Sequence, residues 1–110
     1  MKPTTTRANG NLVVDSPLAD PAIYDITPSS GSATDSVTVS LSGTGFRPGP
    51  TVRLTRSGQS DIYGTGVDFG SRYRVNCTFD LTGRQPGAWN VILMNRDNKT
   101  ATLMNGFTVV

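Results

Sequence analysis

The stretch Tyr73-Arg74-Val75-Asn76-Cys77-Thr78-Phe79-Asp80-Leu81 decides the fold class of this chain. Its apolar and polar side chains alternate without a break. The apolar positions are Tyr73, Val75, Cys77, Phe79 and Leu81. A period of two residues is the signature of a β-strand with one buried face. The stretch therefore predicts a long strand whose apolar face, including Tyr73 and Cys77, packs into a core.

Shorter segments on both sides of this stretch show the same period. Residues 37–41, 52–54 and 89–93 alternate in the same way, and residues 62–69 predict a glycine-interrupted strand or a pair of short strands. Residues 100–103 and 107–110 close the chain. Turn residues recur every 8–12 positions, as in sandwich proteins. We therefore expect an all-β fold, an immunoglobulin-like antiparallel β-sandwich of about seven strands with Greek-key connections.

The composition limits what such a domain can do. The 110 residues fit one domain, and they include no histidine, no glutamate and a single cysteine, Cys77. These absences exclude a histidine-based triad, a histidine-ligated metal, an intrachain disulfide and a multi-cysteine zinc site. We therefore expect no enzyme, no cofactor and no metal site. The formal net charge of +2 comes from arginines that are scattered along the chain, so we expect no nucleic-acid partner. No apolar run is long enough to cross a membrane, so we expect no membrane insertion.

Five motifs, in this order and spacing, resemble the IPT/TIG family of immunoglobulin-like domains. The motifs are Pro21-Ala22-Ile23, Ile26-Thr27-Pro28-Ser29-Ser30-Gly31, Ser42-Gly43-Thr44-Gly45-Phe46, Pro86-Gly87-Ala88-Trp89-Asn90-Val91 and Asn105-Gly106-Phe107-Thr108-Val109, with the alternating segment of residues 37–41 leading into the third. The resemblance covers Pro21 to Val110 and implies a sandwich fold rather than a reaction. The chain looks most similar to the prokaryotic and archaeal surface-protein repeats, which implies an extracellular or cell-surface location. Here Gly43 and Gly45 are expected to turn the chain at positive φ.

The chain is thus divided into an N-terminal extension, residues 1–20, and an IPT/TIG domain, residues 21–110. Within the extension, residues 9–14 repeat the pattern of residues 105–110: Asn-Gly, two residues, then Val-Val. Residues 9–14 are predicted to form a strand, followed by a proline-flanked linker. The simplest interpretation of the repeated pattern is coincidence, because Asn-Gly is a common turn pair. Otherwise residues 9–14 are either the last strand of a preceding repeat or a strand that adds to the sheet of a neighbouring subunit. The expected contact residues are Asn11, Leu12, Val13 and Val14.

Two sequons suggest a modification. Asn76-Cys77-Thr78 and Asn98-Lys99-Thr100 both fit the N-glycosylation pattern. Asn76 is predicted on an outward strand face and Asn98 in a hairpin loop, so both are candidate acceptors in an exported protein. Cys77 is predicted to be a buried core residue, because no histidine is present to activate its thiol.

Exposed aromatic residues are the usual platform for sugars. Tyr24 and Tyr63 are the candidate ligand aromatics, whereas Tyr73 and Trp89 alternate with core positions. A second candidate is a group of arginines that bind an acidic polymer or, as a simpler interpretation, pair with nearby aspartates. These arginines are Arg53, Arg56, Arg72, Arg74 and Arg84, and the aspartates are Asp61, Asp68 and Asp80.

The sequence favours a non-catalytic structural or interaction module of a cell-surface or extracellular prokaryotic protein, acting as a spacer or repeat unit. Its expected partners are other copies of itself or neighbouring immunoglobulin-like repeats. One alternative is a self-assembling, pilus-like fibre subunit that polymerises by N-terminal strand addition. Another is an accessory carbohydrate-binding module whose partners are surface glycans.

Overall fold

The computed structural model describes residues 20–110, and this part of the chain contains nine β-strands joined by turns and loops. The predictions for the first 19 residues, including the contact residues Asn11, Leu12, Val13 and Val14, lie outside the described residues. The strands are β1 (Ala22–Thr27), β2 (Ser30–Gly31), β3 (Ser36–Thr44), β4 (Thr51–Thr55), β5 (Ile62–Tyr63), β6 (Thr65–Ser71), β7 (Arg74–Asp80), β8 (Gly87–Met94) and β9 (Thr100–Val109).

The strands form two sheets packed face to face. Sheet A has the order β1-β3-β7-β6, and sheet B has the order β2-β9-β8-β4-β5. Every pair is antiparallel except β2 with β9, which run parallel. The immunoglobulin-like sandwich is confirmed, and the two extra strands beyond the expected seven are the two-residue strands β2 and β5.

The alternation of the sequence places the core between the sheets. On β7 the inward residues are Val75, Cys77 and Phe79, all fully or almost fully buried. Trp89 on β8 is also fully buried and donates its indole N–H to the carbonyl of Gln85 at 3.0 Å. Burying an aromatic side chain while satisfying its polar atom stabilises the core without a desolvation penalty. Cys77 and Trp89 thus lie where the sequence predicts.

The segment 62–69 crosses from one sheet to the other. β5 pairs with β4 in sheet B, and β6 pairs with β7 in sheet A. The crossing occurs at Gly64, where a Cβ atom would lie 2.9 Å from Cys77 Sγ. Only glycine lets the backbone pass this close to the core. The predicted pair of short strands is therefore correct.

Gly43 acts differently from the prediction. Gly45 has φ +75°, as expected for a turn, but Gly43 is not among the positive-φ residues and lies within β3. A Cβ atom on Gly43 would collide with the carbonyl oxygen of Ala22 on β1. Gly43 is therefore needed for the close approach of two strands, not for a turn.

The prediction for Tyr73 is wrong. Its side chain is 56% exposed, although it has the same parity as the buried residues of β7. β7 begins only at Arg74, and Tyr73 lies in the turn between β6 and β7, where its amide N–H donates to Ser71 Oγ at 3.1 Å. The backbone of a turn does not keep the two-residue alternation of a strand, so the parity of Tyr73 in the sequence does not determine which way its ring points.

Candidate interaction surfaces

The chain enters and leaves the domain at opposite ends. β1 begins at Ala22, which pairs with Thr44 at the end of β3. β9 ends at Val109, which pairs with Gly87 at the start of β8 and with Gly31 on β2. We call the end with Ala22 the N-terminal pole and the end with Val109 the C-terminal pole.

One buried amide organises the loops of the N-terminal pole. The Asn95 side chain is 1% exposed, follows β8 and reaches across to the loop after β3. Its Oδ1 accepts from the Arg47 amide N–H at 3.1 Å, and its Nδ2 donates to the Gly45 carbonyl at 2.9 Å. Asparagine is common in hairpin turns, so the sequence gives no signal that Asn95 binds a distant loop.

The free edges of the sheets limit how another strand can add. In sheet A the edge strands are β1 and β6, and in sheet B they are the two-residue strands β2 and β5. β9, which contains most of residues 105–110, lies between β2 and β8. Residues 9–14 resemble residues 105–110 in sequence, but the position of residues 105–110 in sheet B is already filled by this domain's own β9.

The outer face of sheet A is covered by hydroxyl and amide side chains. Thr38 and Thr78 lie opposite one another, with their hydroxyl oxygens 2.9 Å apart, and Arg74 Nη1 donates to Ser40 Oγ at 3.4 Å. Asn76, the first sequon asparagine, lies mid-strand in this face, opposite Ser40, and is half-buried. The β3 and β7 strands of this face therefore offer mainly hydrogen-bonding groups.

The outer face of sheet B combines an aromatic ring with an ion pair. Tyr63 on β5 is 59% exposed and lies directly opposite Arg53 on β4. Arg53 Nε lies 3.4 Å from Asp61 Oδ2, and on its other side Arg53 pairs in register with Ile92 on β8. Aromatic, arginine and aspartate side chains thus meet on one surface.

The structure separates the two candidate ligand tyrosines. Tyr24 is the extra residue of a β-bulge in β1, between Ile23 and Asp25, and is 67% exposed. β1 belongs to sheet A and Tyr63 belongs to sheet B. Tyr24 and Tyr63 therefore cannot form one platform.

The arginines do not converge on one site. Arg56 Nη1 donates to the Pro86 carbonyl at 2.6 Å, whereas the Arg72 guanidinium lies 5.6 Å from the centre of the Tyr73 ring. Among the predicted arginine–aspartate partners within residues 20–110, only Arg53 and Asp61 form an ion pair. The two side chains are 28% and 37% exposed, and a pair so close to solvent contributes little to stability.

Among residues 20–110, Cys77 and Asp80 have clearly shifted pKa values. Burial raises the pKa of the Cys77 thiol to about 12, so the reactive thiolate is suppressed at neutral pH. The Thr82 amide N–H donates to Asp80 Oδ1 at 3.0 Å, and this bond lowers the pKa of the Asp80 carboxyl. In residues 20–110 no group of three acidic, cysteine or histidine residues is arranged to hold a metal, and no helix there is long and apolar enough to span a membrane.

The second sequon lies at the tip of the β8–β9 hairpin. Asn98 is exposed and adopts φ +70°, and its amide N–H donates to the Asn95 carbonyl at 2.9 Å. Thr100, which completes the sequon, is also exposed. Asn98 is therefore the more accessible of the two candidate acceptors.

The fold is shared with solved structures of low sequence identity. The TIG domain of human nuclear factor of activated T-cells, cytoplasmic 4, aligns with a TM-score of 0.64 and 18% identity over 90% of this chain and 91% of that one. An auxiliary nutrient binding protein from Bacteroides ovatus ATCC 8483 aligns with a TM-score of 0.55 and 17% identity over 86% of this chain. The alignment spans 22% of that protein. No family model matches the chain, and no curated protein matches it by sequence. The TIG-type immunoglobulin-like fold expected from the motifs is confirmed.

Proposed function

We propose that this chain is a non-catalytic spacer or repeat unit in a cell-surface or extracellular prokaryotic protein, where it holds neighbouring domains apart and contacts them at its poles. The observation that carries this proposal is the location of Ala22 and Val109 at opposite poles. A domain entered at one end and left at the other lengthens a chain of domains. The Bacteroides ovatus protein supports this, because a similar sandwich forms only about a fifth of its length.

The size of the chain in solution tests the proposal first. A spacer unit should be a monomer of 11.7 kDa at high concentration in light scattering, with no filaments in electron micrographs. A second sample tests the end-to-end arrangement: a two-copy chain in which Asp15 of the second copy directly follows Val110 of the first. Small-angle X-ray scattering should give a maximum dimension close to twice that of one copy. A folded-back, compact pair contradicts the spacer function.

The fibre subunit is the first alternative, and the edge strands of sheet A support it. Because the position between β2 and β8 is filled, residues 9–14 of a second copy would have to pair along β1 or β6. Filaments in the full chain that disappear when residues 1–20 are deleted would favour this alternative. A monomer both before and after the deletion would exclude it.

The carbohydrate-binding module is the second alternative, and the surface around Tyr63 supports it. A sugar ring stacked on Tyr63 would bring its hydroxyl groups beside Arg53 and Asp61, which supply donors and acceptors. Binding on a glycan array should be lost in Tyr63→Ala and kept in Tyr24→Ala, because Tyr24 is similarly exposed but belongs to the other sheet. Equal effects of the two substitutions, or no binding, would contradict this alternative.

A further inference from the structure

We propose that the domain is built to bear tension along its long direction, with the parallel pair of β2 and β9 resisting separation of its two ends. This inference rests on the proposed spacer function, since only a unit joined to others at both poles is pulled from both. It adds a property that a passive spacer does not need.

The direction of the strands determines how a pull acts on them. Tension on the N-terminal side draws β1 and β2 towards the N-terminal pole, while tension on the C-terminal side draws β9 outward at the C-terminal pole. β2 and β9 run parallel, with Ser30 opposite Thr108 and Gly31 opposite Val109. The two pulls therefore slide β2 and β9 past one another lengthwise.

Three backbone hydrogen bonds oppose this sliding. The Thr108 amide N–H donates to the Ser29 carbonyl at 2.9 Å, and the Val110 amide N–H donates to the Gly31 carbonyl at 2.9 Å. The Ala33 amide N–H donates back to the Val110 carbonyl at 3.0 Å. Because these bonds lie across the direction of pull, a lengthwise slide strains all three together. A hairpin that is peeled from one end loses its bonds one after another.

Apolar packing protects the hydrogen bonds from water. A Cβ atom on Gly31 would lie 2.8 Å from Leu81 Cδ1 and 3.3 Å from the Phe107 ring, so β2 is pressed directly onto the core. Leu81 and Phe107 are fully buried. A hydrogen bond that water cannot reach has no replacement partner while it stretches, and its rupture is correspondingly harder.

β1 adds a second region of the same kind. It pairs with β3 from Ala22 to Thr27 and lies at the edge of sheet A. A pull on the N-terminal side again acts along the strand, not across it. Both terminal strands are therefore loaded lengthwise, each in a different sheet, and neither sheet can be opened from its end by this pull.

Single-molecule force spectroscopy on the full 110-residue chain tests this inference. In one geometry the handles are attached at the two chain ends. In the other, one handle is at the N-terminus and one is on Asp97→Cys, an exposed position at the N-terminal pole, so that the strands are pulled apart from one end. The buried thiol of Cys77 does not compete for the handle. The unfolding force should be at least about twofold higher in the end-to-end geometry.

A matched pair of variants ties the effect to β2 and β9. Val110→Pro removes the N–H that donates to Gly31, and Val110→Ala keeps it. Val110 is 66% exposed, so neither substitution disturbs the core. Val110→Pro should lower the end-to-end unfolding force and leave the force in the Asp97 geometry unchanged, while Val110→Ala should change neither.

Equal forces in the two geometries, or no effect of Val110→Pro, would overturn the inference. Such results with a monomeric chain and an extended two-copy chain would leave the spacer function standing. Conversely, filaments or a folded-back pair would contradict the spacer function whatever forces are measured.

Discussion

Replacing Asn95 by alanine should destabilise the domain, because the Asn95 side chain links two loops of the N-terminal pole. The substitution removes both hydrogen bonds that join the β8–β9 hairpin to the loop after β3, and it leaves the Arg47 amide and the Gly45 carbonyl without their partners. Leaving one buried polar group unpaired costs about 1–3 kcal/mol. Both hydrogen bonds are only partly buried, so each group should cost no more than about 2 kcal/mol, and we expect a total loss of roughly 2–4 kcal/mol in the free energy of unfolding.

Thermal unfolding followed by the fluorescence of Trp89, the single tryptophan, measures this loss. At about 4–8 °C per kcal/mol for a domain of this size, the midpoint should fall by at least about 8 °C. Asn90→Ala is the matched control, because Asn90 Oδ1 also accepts from a backbone amide, that of Asn105 at 2.9 Å, but in an exposed bulge. Its cost should be about 1 kcal/mol or less.

The variant Asn95→Asp separates the two hydrogen bonds. A carboxylate still accepts from Arg47 but cannot donate to the Gly45 carbonyl, and its charge is buried. The folded state therefore favours the protonated form and raises the pKa of this carboxyl, so the variant should lose stability as the pH rises above about 4, the ordinary pKa of an aspartate, and recover it in acid. If Asn95→Ala unfolds at the same temperature as the wild type or as Asn90→Ala, then the polar link is not holding the loops and the reasoning fails.

Three further changes give distinct results. Burial raises the pKa of the Cys77 thiol to about 12, so as the pH rises the thiol ionises first in the unfolded chain. Above pH 9 the free energy of unfolding should therefore fall by about 1.4 kcal/mol per pH unit more in the wild type than in Cys77→Ala. Urea denaturation at pH 8 and pH 10 measures this, and an equal loss of stability in the two proteins would contradict it. Gly43→Ala should cost at least about 2 kcal/mol because its Cβ atom collides with β1, whereas Gly70→Ala, with no neighbouring atom closer than 3.3 Å, should cost about 1 kcal/mol or less. After secretion from a glycosylating host, peptide mapping should find the glycan on Asn98 and not on Asn76, since Asn98 is exposed at a hairpin tip; the reverse occupancy would contradict the structural reasoning.

The strands of the core could be predicted because their signal is local. A strand with one buried face needs an apolar residue at every second position, so β3, β4, β7 and β8 are visible as alternation in the sequence. The same logic failed at Tyr73, where the parity continues in the sequence but the residue belongs to the turn before β7. It also missed Asn95, whose partners Gly45 and Arg47 are about fifty residues away in the chain.

The candidate surfaces were much less predictable than the core. Tyr24 and Tyr63 are both exposed, as the sequence indicates, but only the topology shows that they belong to different sheets. Likewise the sequence places Arg53 near Asp61 and offers several other arginine–aspartate pairs, and the register selects this pair. Surface side chains are not constrained by a repeating pattern, so their neighbours follow from strand order alone.

The sequence by itself determined that this chain is a sandwich without the residues for histidine-based catalysis, because composition and alternation act residue by residue. Only the tertiary structure decided that β2 pairs in parallel with β9, that Gly43 serves a close strand approach and not a turn, and that the chain leaves at the pole opposite to Ala22. These features depend on contacts between segments far apart in the chain. Such contacts are selected by how two whole sheets pack, and no local pattern encodes that packing.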